Sequence, residues 1–201
     1  MSDDLVRHLL LPAFGADPTA ELLDAATVDV AGSRVAFATD SYVVQPLFFP
    51  GGSIGDLAVN VTVNDLAMRG ARPLAISAGF ILEEGVELAT LGRVAQAMGA
   101  AARRAGVPLV TGDTKVVGSG QGDGIYVNTS GIGLVADGVD VRPRRAVADD
   151  VVIVSGPVGM HGIAVLSRRE GLEFGTDLRT DSAPLNGLVA DMLAASAEVH
   201  A

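Results

Sequence analysis

Asp40-Ser41-Tyr42-Val43-Val44-Gln45-Pro46-Leu47-Phe48-Phe49-Pro50-Gly51-Gly52-Ser53-Ile54-Gly55 is the stretch on which the fold turns. Asp40 to Val44 reads as extended chain, Pro46 to Gly52 as a loop carrying two aromatic rings, and Ser53 as a residue able to cap a following helix. Upstream, Thr27–Ala31 and Arg34–Thr39 are β-like and flank Gly32-Ser33, a two-residue hairpin turn. Downstream, residues 54–69 fit two patterns. Val59, Val61 and Val63 alternate with polar residues as a strand would, while Ile54, Leu57, Val61 and Met68 share one helical face. The length, with a cap at Ser53 and a stop at Gly70, favours the helix.

Further from that centre the elements are simpler. Ser2, Asp3 and Asp4 open a short amphipathic helix through Leu5, Leu9 and Leu10, ending near Pro12. Pro73–Leu82 reads as a buried strand, and Leu88–Ala105 as a helix with Leu91, Ala95, Met98 and Ala102 on one face and Gly106 beyond its end. Pro108–Thr111 reads as a short strand, residues 118–124 as a flexible glycine-rich loop, and Ile125–Val135 as a strand. Within that strand Gly131 and Gly133 imply a bulge or a close backbone approach. A polar break at Arg142–Asp150 places a boundary near residue 145, giving units 1–145 and 146–201. The second unit reads as strand Val151–Ser155, a glycine turn at 156–162, helix Ile163–Arg169 and a last helix formed by Ser182, Pro184 and the Leu185, Leu188, Met192 face, too little for a core of its own.

Composition narrows the functional classes. The 201 residues are 49% hydrophobic and 19% charged, enough apolar material for a folded core. With 14 basic against 24 acidic residues the net charge is −10, which argues against nucleic acid as a partner. There is no cysteine, so disulfides and thiolate chemistry within these residues are excluded. No apolar run reaches membrane-spanning length and the N-terminus is acidic, so a cytoplasmic location is expected.

Three acidic residues stand at expected element ends: Asp40, Asp65 beside Asn64, and Asp113 in Thr111-Gly112-Asp113-Thr114-Lys115. Carboxylates bind phosphate through Mg²⁺, which takes oxygen ligands. Lys115, two residues after Asp113 on extended chain, falls on the same side and can hold a phosphate as a point charge, and Gly112 lets backbone come close to a ligand. Taken singly, an Asp at a strand end is more often a turn or cap residue. No P-loop, Ser-His-Asp set or histidine metal motif accompanies them.

These residues carry a resemblance. The stretch 40–55 closely resembles the signature of the HypE family of hydrogenase expression/formation proteins. The likeness runs on through Asn64-Asp65-Leu66-Ala67-Met68-Arg69-Gly70-Ala71-Arg72-Pro73, Gly79-Phe80-Ile81-Leu82-Glu83-Glu84-Gly85, Thr111 to Val117, and Val154 to Gly162. The Asn-Asp and Gly-Asp-Thr elements alone indicate the wider PurM-like (AIR synthase-related) superfamily. The Phe-Phe-Pro-Gly-Gly and Gly-Phe-Ile-Leu-Glu-Glu stretches make it HypE-specific.

The resemblance implies a PurM-like α+β fold: an N-terminal domain that forms a β-barrel across a homodimer, then the start of a C-terminal α/β domain. It implies ATP and Mg²⁺ as cofactors, with Asp40, Asp65 and Asp113 on the metal. Asn64, Gly112, Thr114 and Lys115 would lie near the phosphates, and Phe49, Gly51 and Gly52 in a loop beside the nucleotide. It implies ATP-dependent dehydration of a carbamoylated C-terminal cysteine to thiocyanate, with a HypF-type carbamoyltransferase and a HypC–HypD complex as partners. The family's early glycine-rich segment and its terminal cysteine are absent from these residues. The expectation is therefore a shortened chain, inactive by itself. The competing readings are another superfamily enzyme, of the thiamine-phosphate kinase, selenophosphate synthetase or aminoimidazole ribonucleotide synthetase type, and a non-catalytic dimerisation and docking module.

Overall fold

The computed structural model describes residues 2–172, 174, 177–196 and 198–200. The chain opens with α1 (Ser2–Leu5), a π-helical turn (Val6–Leu10) and α2 (Leu11–Ala13), followed by the hairpin β1 (Ala26–Val30) and β2 (Ser33–Tyr42). Short strands β3 (Phe48–Phe49) and β4 (Gly52–Ser53) then fold the aromatic loop back on itself, and α3 (Ile54–Ala67), β5 (Ala71–Glu83), α4 (Leu88–Ala105), β6 (Leu109–Val117) and β7 (Ile125–Val135) follow. Helices α5 (Met160–Glu170) and α6 (Asn186–Ala195) complete it.

Five strands make one sheet in the order β1-β2-β7-β5-β6, antiparallel except for the β5–β6 pair. This is the expected α+β class. Helices α3 and α4 pack together, and α3 lies across β2, β7 and β5. The core is aliphatic: Ile54, Leu57, Val59 and Val63 of α3 meet Ile76, Val94, Met98, Ile125 and Val127. Strand β7 alternates strictly, its odd-numbered residues turned toward α3. The helix rides close at Gly131, where a Cβ would come within 2.9 Å of Leu66 Cδ1 and 3.0 Å of Thr62 Cγ2. The close backbone approach read from sequence is at Gly133, where a Cβ would stand 3.1 Å from Arg72 O.

The ambiguous segment is a helix. Ser53 Oγ accepts the Asp56 N–H at 3.3 Å and donates to the Asp56 carboxylate at 2.7 Å, a cap that satisfies groups a strand would have paired across a ladder. Gly106 ends α4 in the left-handed conformation, φ 69°.

Three expectations are corrected. The short strand at 108–111 runs on to Val117, because parallel pairing with β5 holds each residue from Thr111 to Val117. Asp40 and Asp113 lie within β2 and β6 rather than just past the ends of shorter strands. Val151–Ser155 is not a strand: Val151, Val152, Ile153 and Val154 are exposed, with no described strand alongside to take their backbone hydrogen bonds.

Candidate nucleotide and metal site

Asp65 sits in the last turn of α3, and Asp40 near the end of β2 on the face that α3 covers. In the sheet Asp40 is level with Thr129, Ala78 and Gly112. Thr129 is buried and donates to Ala58 O on α3 at 2.7 Å, which fixes that row as the helix side. Its only proton thus committed, Thr129 accepts from Thr62 at 2.6 Å, and Thr62 accepts from the Tyr42 hydroxyl at 3.1 Å. This buried chain ties β2, α3 and β7 together directly beneath the acidic corner.

The electrostatics of that corner are uncompensated. Burial, then the charges of Asp24 and Asp40, push the Asp65 carboxyl up to about 7. Burial also carries the Tyr42 hydroxyl to about 12, with smaller contributions from Asp40 and Asp65. Among the described residues neither Asp40 nor Asp65 has an ion-pair partner. Nor do any three His, Cys, Asp or Glu side chains among them close into a metal cage. The corner attracts a cation without enclosing one. That suits Mg²⁺, which keeps several waters and is held by one or two carboxylates together with phosphate.

Asp113 belongs elsewhere. It is level with Gly79, Asn128 and Ser41, the next row along, so its side chain leaves the sheet on the side away from α3. Lys115 joins it as expected, Nζ to Oδ2 at 2.8 Å, and with the Thr114 N–H holds that carboxyl below its usual range. The pair borders a cavity of about 330 Å³ with Ser41, Val43, Ile81, Tyr126 and Asn128. Gly112 and Thr114 fall on the α3 side, level with Ala78 and Phe80. Of the residues expected to share a metal, the fold brings Asp40 and Asp65 together and sends Asp113 to the opposite face.

Phe49, Gly51, Gly52 and Asn64 are gathered around a distant segment. Thr180 N–H donates to Pro50 O at 2.9 Å. A Cβ on Gly51 would stand 3.0 Å from Arg179 Cβ, and one on Gly52 3.1 Å from Thr180 Cγ2. Asn64 spends its amide on the same segment, donating to Ala183 O at 3.0 Å and accepting Leu185 N–H at 2.7 Å. Phe49 is buried and meets the His161 ring edge to face at 5.1 Å.

Asp24 and the Tyr42-Thr62-Thr129 chain escaped sequence reading, and residues 182–185, read as the start of the last helix, are irregular chain seated on α3. Asp24 lies in irregular chain before β1, with no local pattern to single it out.

The AIR synthase related protein N-terminal domain model matches residues 23–135. The chain belongs to that family. Within the family the likeness is to HypE. The chain is 54% identical over 191 residues to "Carbamoyl dehydratase HypE" of Rhizobium leguminosarum bv. viciae, covering 95% of this chain and 55% of that protein. Its structure superposes on a HypE chain from a crystal structure of a HypE–HypF complex with TM-score 0.88 and 44% identity, covering 98% of this chain and 63% of that one. On a crystal structure of HypE in complex with ATP the TM-score is 0.78 and the identity 48%, over 96% and 57% of the two chains. The chain thus spans little more than half the length of the HypE relatives it matches. No helix among its described residues is long and apolar enough to cross a membrane.

Proposed function

We propose that this chain is the nucleotide-binding portion of a HypE-type, ATP-dependent carbamoyl dehydratase of hydrogenase maturation, acting in the cytoplasm. The observation that carries this reading is the pair Asp40 and Asp65: two carboxylates on adjoining elements, one of them raised to about 7 by burial and by the charges of Asp24 and Asp40, with no cation among the described residues to balance them. A half-buried acid held this way is stabilised by a divalent ion in place of a proton. Mg²⁺, when bound, offsets charge on phosphate oxygens. Asp40 and Asp65 are the residues to hold it. Thr114, on the same face of the sheet as Asp40, is the candidate for phosphate contact beside them, whereas Lys115 is paired with Asp113 on the other face.

We also propose a homodimer through the uncovered face of the sheet, the face to which Asp113 and Lys115 turn. Val28, Val30, Phe37, Val43, Ile81 and Ile132 are exposed; register and alternation place them on that face. An apolar surface of this kind calls for a partner. The reaction assigned is activation of a carboxamide oxygen by phosphorylation, then loss of phosphate to leave thiocyanate, on a terminal cysteine outside these 201 residues. The carbamoyl group is to come from a HypF-type carbamoyltransferase and the cyano group to pass to a HypC–HypD complex.

The test is calorimetry with Mg-ATP. Asp65→Asn is expected to weaken binding about tenfold or more, equivalent to ~1.4 kcal/mol, while the protein stays folded. Unchanged affinity with a lowered melting temperature would show Asp65 to be a structural residue and remove the basis of the assignment.

A further inference from the structure

Gly51, Gly52 and Asn64 were expected beside a nucleotide, yet each is already covered by the segment Arg179–Asn186. That segment reaches four parts of the molecule. Thr180 sits on the Pro50–Gly52 loop. Ser182 accepts from Asn60 Nδ2 at 3.1 Å, and Ala183 and Leu185 engage both ends of the Asn64 amide one helical turn further along α3. Asn186 Nδ2 donates to Ala105 O, at the end of α4, at 2.9 Å. Asp181 turns the other way and accepts the first two N–H groups of α5, Met160 at 3.0 Å and His161 at 2.9 Å.

These contacts make one connected unit. Asn60 is buried, with its Oδ1 unpaired and its Nδ2 donating to Ser182. Asp181 satisfies N–H groups that α5 cannot pair internally and places negative charge at the positive end of that helix. Burial works against its ionised form, but the N–H groups of Met160, Asp181 itself and His161 outweigh it and keep the carboxyl below its ordinary range. His161 closes the ring of contacts, with Nδ1 3.1 Å from Thr180 Oγ1 and its ring packed edge to face with Phe49. The orientation of α5 against the Phe49 loop is therefore set through the segment, and the segment is seated on Gly51, Gly52 and Asn64.

We propose that Gly51, Gly52 and Asn64 serve the nucleotide site indirectly, as the seat of a strap, Arg179–Asn186, that positions helix α5; Asn64 and Asp181 are its positioning residues. The inference rests on the nucleotide-binding reading above and changes what these residues do within it. The absent Cβ atoms admit Thr180, and the Asn64 amide reads the strap backbone. Asp65, next to Asn64, stays free for the ligand.

The experiment joins a nucleotide-free readout to a binding cycle. The chain has three histidines, so the His161 ring proton is resolved by NMR in the full 201-residue chain. In the absence of nucleotide, Asn64→Ala and Asp181→Ala are each expected to move the His161 signal away from its Phe49-shifted position, and Asp181→Asn, which keeps an acceptor, to restore most of it. In Mg-ATP titrations each alanine variant is expected to lose about tenfold in affinity and the double variant no more than either alone, because both release one strap. An unmoved His161 signal in Asn64→Ala overturns the strap, whatever the nucleotide does. Losses that multiply in the double variant, or no Mg-ATP binding by the unsubstituted chain, overturn its service to the nucleotide; the second result overturns the functional reading with it.

Discussion

Asp40 and Asp113 stand one register step apart across four strands and leave opposite faces of the sheet. Three strand spacings, about 14 Å, and the sheet itself separate them. Asp113 therefore does not take part in the titration of the acidic corner. Asp40→Asn is expected to lower the midpoint of Asp65 from its value near 7, and Asp113→Asn to leave it where it is. Carboxyl-carbon NMR across pH 5–9 reads both; an equal displacement by the two variants would mean that the acids converge within one chain.

Asp65 also makes stability depend on pH. Its folded value, about 7, lies above the ordinary 3.8 of an unfolded chain, so between those limits the native state holds a proton that the unfolded state has released. Its contribution is largest below pH 4, declines as pH rises toward 7 and is lost above that. Asp65→Asn, without nucleotide, is expected to raise the melting temperature relative to the parent at pH 8 and about a third as much at pH 5. The group is only partly buried and its repulsions are screened, so the gain is ~1 kcal/mol, or roughly 3 °C for a chain of this size. Paired melts at the two pH values check the sign.

The uncovered sheet face predicts its own disruption. Phe37 and Ile132 are register partners at its centre, 46% and 41% exposed. Phe37→Glu would place a carboxylate in the proposed interface without touching the α3 side. Sedimentation at micromolar concentration is expected to show a dimer for the parent and a monomer for the variant, with equal helix content by circular dichroism.

Gly112 has no room for a side chain. A Cβ would lie 2.1 Å from Ala78 O on the neighbouring strand, so Gly112→Ala must push β6 from β5. The expected cost is about 2–3 kcal/mol, a fall of roughly 6–9 °C in melting temperature. Amide exchange should accelerate in β6 ahead of β7.

Thr129 is the last hydroxyl of the buried chain, between Thr62 and the Ala58 carbonyl. Thr129→Val keeps the shape but removes the second donor to the Ala58 carbonyl and leaves the Thr62 proton without its acceptor. A loss of about 2 kcal/mol is expected, against ~1 kcal/mol for Tyr42→Phe, which removes only the outermost donor. Chemical denaturation of the two variants separates these values.

Helix capping and residue periodicity are chemistry between near neighbours in the chain. For that reason α3 from its Ser53 cap, α4 with Gly106 behind it, the β1–β2 hairpin and the closeness of Lys115 to Asp113 were all legible before any coordinates. Period-two alternation likewise says that Asp113 and Gly112 face opposite ways, but not which of them joins Asp40. That depends on the strand order and on a register set between residues tens of positions apart. The same limit hid Asp24 behind Asp65 and seated Leu185 on Asn64, 121 residues away. It also let Val151–Ser155 read as a strand: an apolar β-branched run has the propensity, but a strand exists only where a neighbour takes its hydrogen bonds. Local pattern decides which elements form and which face of each is apolar. Only packing in three dimensions decides which polar side chains meet, because the burial and charge that shift Asp65 come from residues the linear order keeps apart.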